Sequence, residues 1–180
     1  MAQNEDGGTI SLLADVIDNQ LVIELSDTGA GDQVDRNKII LSTKVGFLPV
    51  NNSSIKDYKL YFEQYFIKQG IINISDIYGD WQSFSPRYIK WQIEDSLKNL
   101  NTNYIDIYFL HNPEEIRPYV TKYKFYDIIF NAFKQINKEI LNGKIKYVGI
   151  SSWNGFIRNK DKSISIDLEK IIEISKNTLV

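Results

Sequence analysis

The sequence predicts an α/β fold in which parallel strands alternate with amphipathic helices. The clearest element is residues 104–111, a run that is almost entirely apolar and aromatic and is followed directly by Asn112-Pro113. A strand with helices over both faces has this composition, because it needs no polar face. Residues 39–44 and 145–150 are two further strand candidates, with helical patterns between the strands. Alternation of this kind predicts right-handed crossovers and one parallel sheet.

Two boundaries of these elements are marked by proline. Pro113 cannot donate to a sheet ladder, so the central strand is expected to end at about residues 111–112. Ser85-Pro86 is typical of an N-cap followed by proline at the first helical position, and it predicts a helix over residues 86–100.

A second helix is predicted over residues 123–141, ended by Asn142-Gly143 as a left-handed cap, and a third is predicted to start at about residue 166. Apolar side chains recur on one face of each helix with a period of three or four residues. The side chains expected to face the core are Ile89, Ile93, Leu97, Leu100, Tyr126, Phe130, Phe133, Ile136, Ile140, Leu168, Ile171, Ile172 and Ile174.

Composition limits the classes of function. The 180 residues suit one domain of ordinary size, and a net charge of -2 leaves no basic footprint for nucleic acid. With no cysteine and one histidine, the sequence predicts neither disulfides nor a metal centre. No apolar run approaches the length of a membrane span and no signal peptide is recognisable, so we expect a soluble, cytoplasmic protein.

The first 37 residues have a different pattern. Residues 15–18 and 21–25 read either as two short strands around Asn19-Gln20 or as one longer strand. Residues 26–32 are small and polar, as in an exposed loop, and residues 1–8 are expected to be disordered. The two glycines at positions 29 and 31 are too sparse for a phosphate-binding turn.

Chemically useful side chains stand at the ends of the three predicted strands: Lys44, His111 and the pair Ser151-Ser152. Taken singly, each has a structural explanation, as a solvated charge, a satisfied histidine or turn serines. Because parallel strands end at one edge of a sheet, we expect these side chains to meet there. A cation, an imidazole and hydroxyls on one rim suit a site that handles a carbonyl and a nucleotide.

Five segments, over residues 38–175, resemble the aldo-keto reductases: ILSTKVGF (40–47), IEDSLKNL (93–100), YIDIY (104–108), LHNPE (110–114) and GKIKYVGISSWNGF (143–156). The resemblance implies a partial (β/α)8 barrel with at least three parallel βα units, over residues 38–180, behind a diverged N-terminal segment over residues 1–37. It also implies NADPH-dependent reduction of aldehydes or ketones. By motif, Lys44 and His111 match the active-site lysine and histidine. Ser151 and Ser152 match the Ser-Asn pair that holds the nicotinamide carboxamide, with serine replacing asparagine at 152.

The sequence departs from the family pattern ahead of Lys44. The family's acid is a tyrosine whose pKa the lysine lowers, and an aspartate pairs with that lysine. No tyrosine precedes Tyr58 here, and if residues 16–18 echoed the aspartate strand, the tyrosine position would fall near Ile23. The family's later strands, whose basic residues bind the adenosine phosphate, are also missing from the 180 residues, whereas a full barrel takes about 250.

From these departures we expect the family activity to be impaired in this chain. The alternative is a non-catalytic, truncated α/β domain that acts in binding or protein interaction. The expected partners are a small-molecule carbonyl substrate, if the chain is active, and a second copy that associates through exposed barrel edges. Asp106, inside the apolar strand, is expected to be structural and hydrogen-bonded to nearby backbone, because a buried carboxylate without a partner is costly.

Overall fold

A computed structural model describes residues 2–3, 9–17, 20–27, 36–49, 58–79, 81–157 and 163–179. The first three ranges form an antiparallel sheet of β1 (Ala2–Gln3), β2 (Thr9–Ile17) and β3 (Gln20–Asp27), in that order. Ile17 pairs with Gln20, so the two-strand alternative is correct and both strands are longer than predicted. The expected disorder is wrong for residues 2–3 and the expected loop is wrong for residues 26–27, while the rest of both segments lies outside the described residues.

The second sheet is parallel and has the order β4 (Ser42–Val45), β5 (Ile105–His111) and β6 (Ile145–Ser151). The three predicted strands are therefore confirmed, and β5 ends directly before Asn112-Pro113 as expected. The first strand is shorter than predicted, because residues 39–41 lie outside it. Ile40 is 75% exposed there, although its apolar run predicted burial.

Helices lie between the parallel strands and after the last of them. They are α1 (Tyr58–Phe62), α2 (Pro86–Asn99), α3 (Lys122–Leu141) and α4 (Leu168–Thr178). A π-helical turn (Glu63–Ile67) continues α1, and short 3-10 segments lie at Arg36–Lys38, Ile74–Asp76 and Pro113–Tyr119. None of the helices in the described part of the chain combines the length and apolar character that a membrane crossing requires.

Local sequence accounts for where these helices begin and end. Pro86 is the first residue of α2, and the Thr121 hydroxyl caps α3 by accepting from the Lys124 amide. Asp167 caps α4 in the same way. The predicted left-handed cap after α3 is present at Gly143, whose φ is +73°.

The core lies between the parallel sheet and helices α2, α3 and α4. Most of the predicted inward-facing residues are buried or partly buried, but Phe130, Leu168 and Ile172 are exposed. In α3 the buried stripe runs through Phe125, Ile129 and Ala132, at i, i+4 and i+7, and Phe130 lies beside this stripe. In α4, Ile171 and Ile174 are buried, so only one narrow face of this helix packs inward.

Asp106 joins distant parts of the chain at the start of β5. Its carboxylate accepts from the Leu41 amide at 3.0 Å, which agrees with the predicted backbone hydrogen bond. It also pairs with Arg36 at 2.7 Å and with Lys146 at 2.8 Å, and both cations lie over the Tyr104 ring. Burial alone would raise the pKa of Asp106, but the hydrogen bonds from Lys146, Leu41 and Arg36 outweigh it and lower the pKa to about 2.

Candidate functional site

The strand register places three of the predicted site residues together. His111 on β5 is directly opposite Ser151 on β6. Lys44 on β4 is opposite Phe109, which lies two residues before His111 in β5. Since alternate residues of a strand share a face, Lys44, His111 and Ser151 lie on the same face at the carboxyl ends of adjacent strands. We call this group the rim site.

His111 is held in a setting that favours its neutral form. Its ring forms a T-shaped pair with the Phe47 ring, with 4.8 Å between centroids. Burial, followed by the nearby charge of Lys44, lowers the pKa of His111 to about 4, although the negative charge of Glu114 acts in the opposite direction. A neutral imidazole has one N–H donor and one acceptor, so His111 can donate to a carbonyl oxygen without being a cation.

Hydrogen bonds to backbone groups fix the chain around His111. The Asn112 amide donates to the Ser151 carbonyl at 2.7 Å, so β5 and β6 remain joined beyond the last strand pair. The Gln82 side-chain amide donates to the carbonyls of His111 and Asn112, both at 3.3 Å. Gly46 has a φ of +149°, and a Cβ there would lie 2.9 Å from the His111 carbonyl oxygen, so the turn after Lys44 requires glycine.

Ser152, the fourth predicted site residue, is tied into the loop after β6. Its hydroxyl donates to Glu114 Oε1 at 2.8 Å and accepts from the Gly155 amide, also at 2.8 Å. Glu114 was not predicted as a functional residue. The signal in the sequence was its position in the LHNPE segment, three residues after His111.

The tyrosines that follow Lys44 and could replace the family's acid by folding back over the strand ends are Tyr58, Tyr61 and Tyr78. Burial raises the pKa of the Tyr78 phenol, whose charged neighbours are Lys124, Asp76 and Asp127. The Tyr61 ring packs against Tyr65, with 4.6 Å between centroids. Tyr58 is the first residue of α1, and its side chain lies outside the described part of the structure.

A separate cavity of about 260 Å³ lies between the amino-terminal ends of α2 and α3. Phe84 and Ile128 supply apolar walls, and Arg87, Lys124 and Tyr78 supply polar groups. None of the predicted site residues lines this cavity. Within the described ranges, no three histidine, cysteine, aspartate or glutamate residues come together as metal ligands would.

The residues of the rim suit one end of a nicotinamide cofactor. A carboxamide presents both an N–H donor and a carbonyl acceptor, and a serine hydroxyl can pair with either. Ser151 offers such a hydroxyl at the level of His111, one strand away. The donor set therefore fits the nicotinamide end of the cofactor.

Comparison with known proteins places the chain in a family. The model of the Aldo/keto reductase family matches residues 18–174. Prostaglandin F synthase 1 of Bos taurus is 26% identical over 147 residues, which cover 71% of this chain and 46% of that protein. Aldo-keto reductase family 1 member C1 of Macaca fuscata fuscata is 29% identical over 102 residues, covering 51% of this chain and 32% of that protein.

Among solved structures, the chain is similar to aldo-keto reductase AKR11C1 from Bacillus halodurans (holo form), with a TM-score of 0.42 and 27% identity. That match covers 68% of this chain and 30% of the solved one. The chain thus spans about half or less of the length of the curated relatives it matches. Its parallel βα units are part of the family's (β/α)8 barrel fold. Because the family model matches most of its length, the chain belongs to the aldo/keto reductase family.

Proposed function

We propose that this protein is an aldo-keto-reductase-like oxidoreductase of the cytoplasm. The activity proposed by family is NADPH-dependent reduction of aldehydes or ketones to alcohols, and we propose that it is impaired in the 180-residue chain on its own. The observation that carries the proposal is the rim site, where Lys44, His111 and Ser151 share one face at the ends of adjacent strands.

Each rim residue has a task in carbonyl reduction. When bound, the nicotinamide supplies the hydride, so the protein's part is positioning and charge stabilisation. Neutral His111 orients the substrate carbonyl by donating to its oxygen, and the Lys44 ammonium stabilises the negative charge that develops on that oxygen. The family motif implies that both Ser151 and Ser152 contact the carboxamide, but the hydrogen bonds of the Ser152 hydroxyl to Glu114 and from Gly155 leave Ser151 as the contact we assign.

The missing acid is the reason to propose impaired turnover. The alkoxide must take up a proton, and no tyrosine precedes Tyr58 in these 180 residues. Loss of a positioned general acid costs about 10²–10⁴-fold in rate. These 180 residues also do not include a counterpart of the family's later strands, whose basic residues bind the adenosine phosphate, and each charge-assisted hydrogen bond that is absent weakens cofactor binding by roughly 1.5–3 kcal/mol.

The second candidate function is a non-catalytic domain that binds a partner, including a second copy of itself. In the described part of the chain, β4 and β6 pair only with β5 within the parallel sheet, so each has one edge without a hydrogen-bonded strand there. Tyr147 on β6 is 69% exposed, and Ile40 ahead of β4 is more exposed still. Open strand edges and exposed apolar side chains favour association.

A binding titration separates the two candidates. Trp153, which is 75% exposed in the loop after β6, is the fluorescent probe, and Trp153→Phe gives the background signal. A reductase-like rim site predicts saturable quenching by NADPH that weakens in Lys44→Ala and Ser151→Ala. If NADPH quenches the fluorescence of the wild type no more than that of Trp153→Phe, and the chain forms a defined dimer, the binding-domain candidate is favoured.

A further inference from the structure

We propose that Glu114 is a positioning residue that fixes the cofactor-facing loop after β6 by accepting hydrogen bonds from it, and we call these contacts the lock. The Ser152 hydroxyl takes part in the lock, so that Ser151 alone contacts the nicotinamide carboxamide. The cofactor part of this inference rests on the proposed function. The lock itself rests on contacts between described residues. We call residues 152–155 the locked loop.

One carboxylate oxygen gathers three donors from the locked loop. Glu114 Oε1 accepts from the Ser152 hydroxyl at 2.8 Å, from the Trp153 amide at 2.8 Å and from the Asn154 amide at 3.1 Å. Hydrogen bonds to an ionised acceptor are stronger than those between neutral groups. Three of them on one atom define the path of the chain directly after Ser151.

The burial of Glu114 makes these contacts costly to break. The residue is only 3% exposed, and its second oxygen, Oε2, has no hydrogen-bond partner within the described part of the structure. A buried carboxylate that lost its donors would be left without solvation, which is a large penalty. The loop is therefore expected to stay on Glu114 rather than to exchange its amides with water.

The far end of the locked loop is also anchored. The Gly155 amide donates to the Ser152 hydroxyl, and the Gly155 carbonyl accepts from the Ile166 amide at 2.7 Å. A Cβ on Gly155 would lie 2.8 Å from both the Ser152 hydroxyl oxygen and an Ile166 side-chain carbon. With its proton donated to Glu114 and one lone pair accepting from the Gly155 amide, the Ser152 hydroxyl has no donor and only one lone pair left for a ligand.

The position of Glu114 links the two strands that build the rim site. It follows His111 by three residues on the β5 side, and its donors follow Ser151 directly on the β6 side. A change at Glu114 therefore releases the segment next to Ser151 while leaving the strand pairing of His111 and Ser151 in place.

Amide hydrogen exchange tests the lock without any cofactor. In Glu114→Ala, exchange at the Trp153 and Asn154 amides should rise by about tenfold or more, while α3 amides stay protected. Glu114→Gln keeps an acceptor oxygen and should show a smaller rise. Glu115→Ala, one residue further along, is the matched control and should leave both amides unchanged.

Unchanged exchange at both amides in a folded Glu114→Ala protein would overturn the lock. Should that variant fail to fold, Ser152→Ala replaces it, because the Gly155 amide then loses its acceptor and its exchange should accelerate. No acceleration at Gly155 in a folded Ser152→Ala protein also overturns the lock.

Calorimetric titration with NADPH tests the assignment of the two serines. Ser151→Ala should weaken binding with no change in loop exchange, whereas Ser152→Ala should weaken it only together with faster exchange. If Ser152→Ala weakens binding at unchanged exchange, Ser152 is itself a cofactor contact and the assignment is wrong. If wild-type protein binds no NADPH at all, the proposed function and the assignment fail together, and hydrogen exchange still decides the lock.

Discussion

His111 lies beside Lys44 on one face of the parallel sheet, and the lysine charge adds to burial in keeping the imidazole neutral. The two effects lower the pKa of His111 from 6.5 to about 4, with burial the larger. His111 is the single histidine of the chain, so its imidazole resonances can be assigned without ambiguity.

The first prediction is the effect of Lys44 on that titration. Followed by NMR, the wild-type imidazole should titrate near pH 4. Lys44→Met should raise this pKa, but not fully to 6.5, because burial remains. Lys124→Met removes a cation that lies away from the rim site and is the matched control. An equal pKa in the wild type and Lys44→Met would contradict the proximity of these two side chains.

The same shift makes stability depend on pH with a definite sign. Below about pH 6.5 the unfolded chain binds a proton at this histidine, while the folded chain stays neutral until about pH 4. The free energy of unfolding should therefore fall as the pH is lowered through this window. In His111→Gln this part of the pH dependence should vanish in urea denaturation measured at several pH values.

The second prediction concerns the ion pairs of Asp106. Asp106→Asn removes the charge that Arg36 and Lys146 share, and we expect the free energy of unfolding to fall by about 1–2 kcal/mol after allowance for solvent screening. The matched control is Glu173→Gln, which removes an exposed pair with Lys170 and should change stability by less than about 0.5 kcal/mol. Equal losses in the two variants would show that the Asp106 network contributes no more than a surface pair.

Asp106 also predicts an acid limit for the wild type. Its folded pKa is about 2, below the ordinary 3.8, so the carboxylate contributes its full stabilisation above pH 3.8. That contribution is lost as the pH falls through about 2. As the pH falls between these two values, the free energy of unfolding should decrease less in Asp106→Asn than in the wild type, as measured by thermal unfolding.

The third prediction is that the chain self-associates through its open sheet. We expect a dimer or larger species in light scattering at high protein concentration, since open edges and exposed apolar side chains favour it. Tyr147→Lys places a charge on β6 and should shift the population toward monomer. Tyr123→Lys, at an 86% exposed position on α3, should not. A monomer at every concentration would contradict this prediction.

Sequence patterns were sufficient for elements whose signal is local. The apolar run of β5, bounded by Pro113, and the Ser85-Pro86 start of α2 both lie where the pattern predicts. The sequence also predicts that Lys44, His111 and Ser151 lie on one rim, because the carboxyl ends of parallel strands meet at the same edge of a sheet.

Individual hydrogen bonds and ion pairs between side chains far apart in the sequence could not be predicted from it. Asp106 meets Arg36 from 70 positions away, and the donors to Glu114 lie 38 to 40 positions along the chain. Burial was also mispredicted where periodicity fits two faces, as at Leu168 and Ile172 in α4. Which face packs inward depends on the neighbouring helix, and periodicity does not contain that information.

The most direct test of the central claim, a reductase rim site without its acid, is NADPH-dependent reduction of a simple aldehyde by the 180-residue chain. We expect negligible turnover, because protonation of the alkoxide falls to water or to His111. Activity that disappears in Tyr58→Phe would identify a substitute acid and leave the rim site in place. Robust turnover that is lost in His111→Ala but survives Tyr58→Phe, Tyr61→Phe and Tyr78→Phe would contradict the account of the missing proton donor.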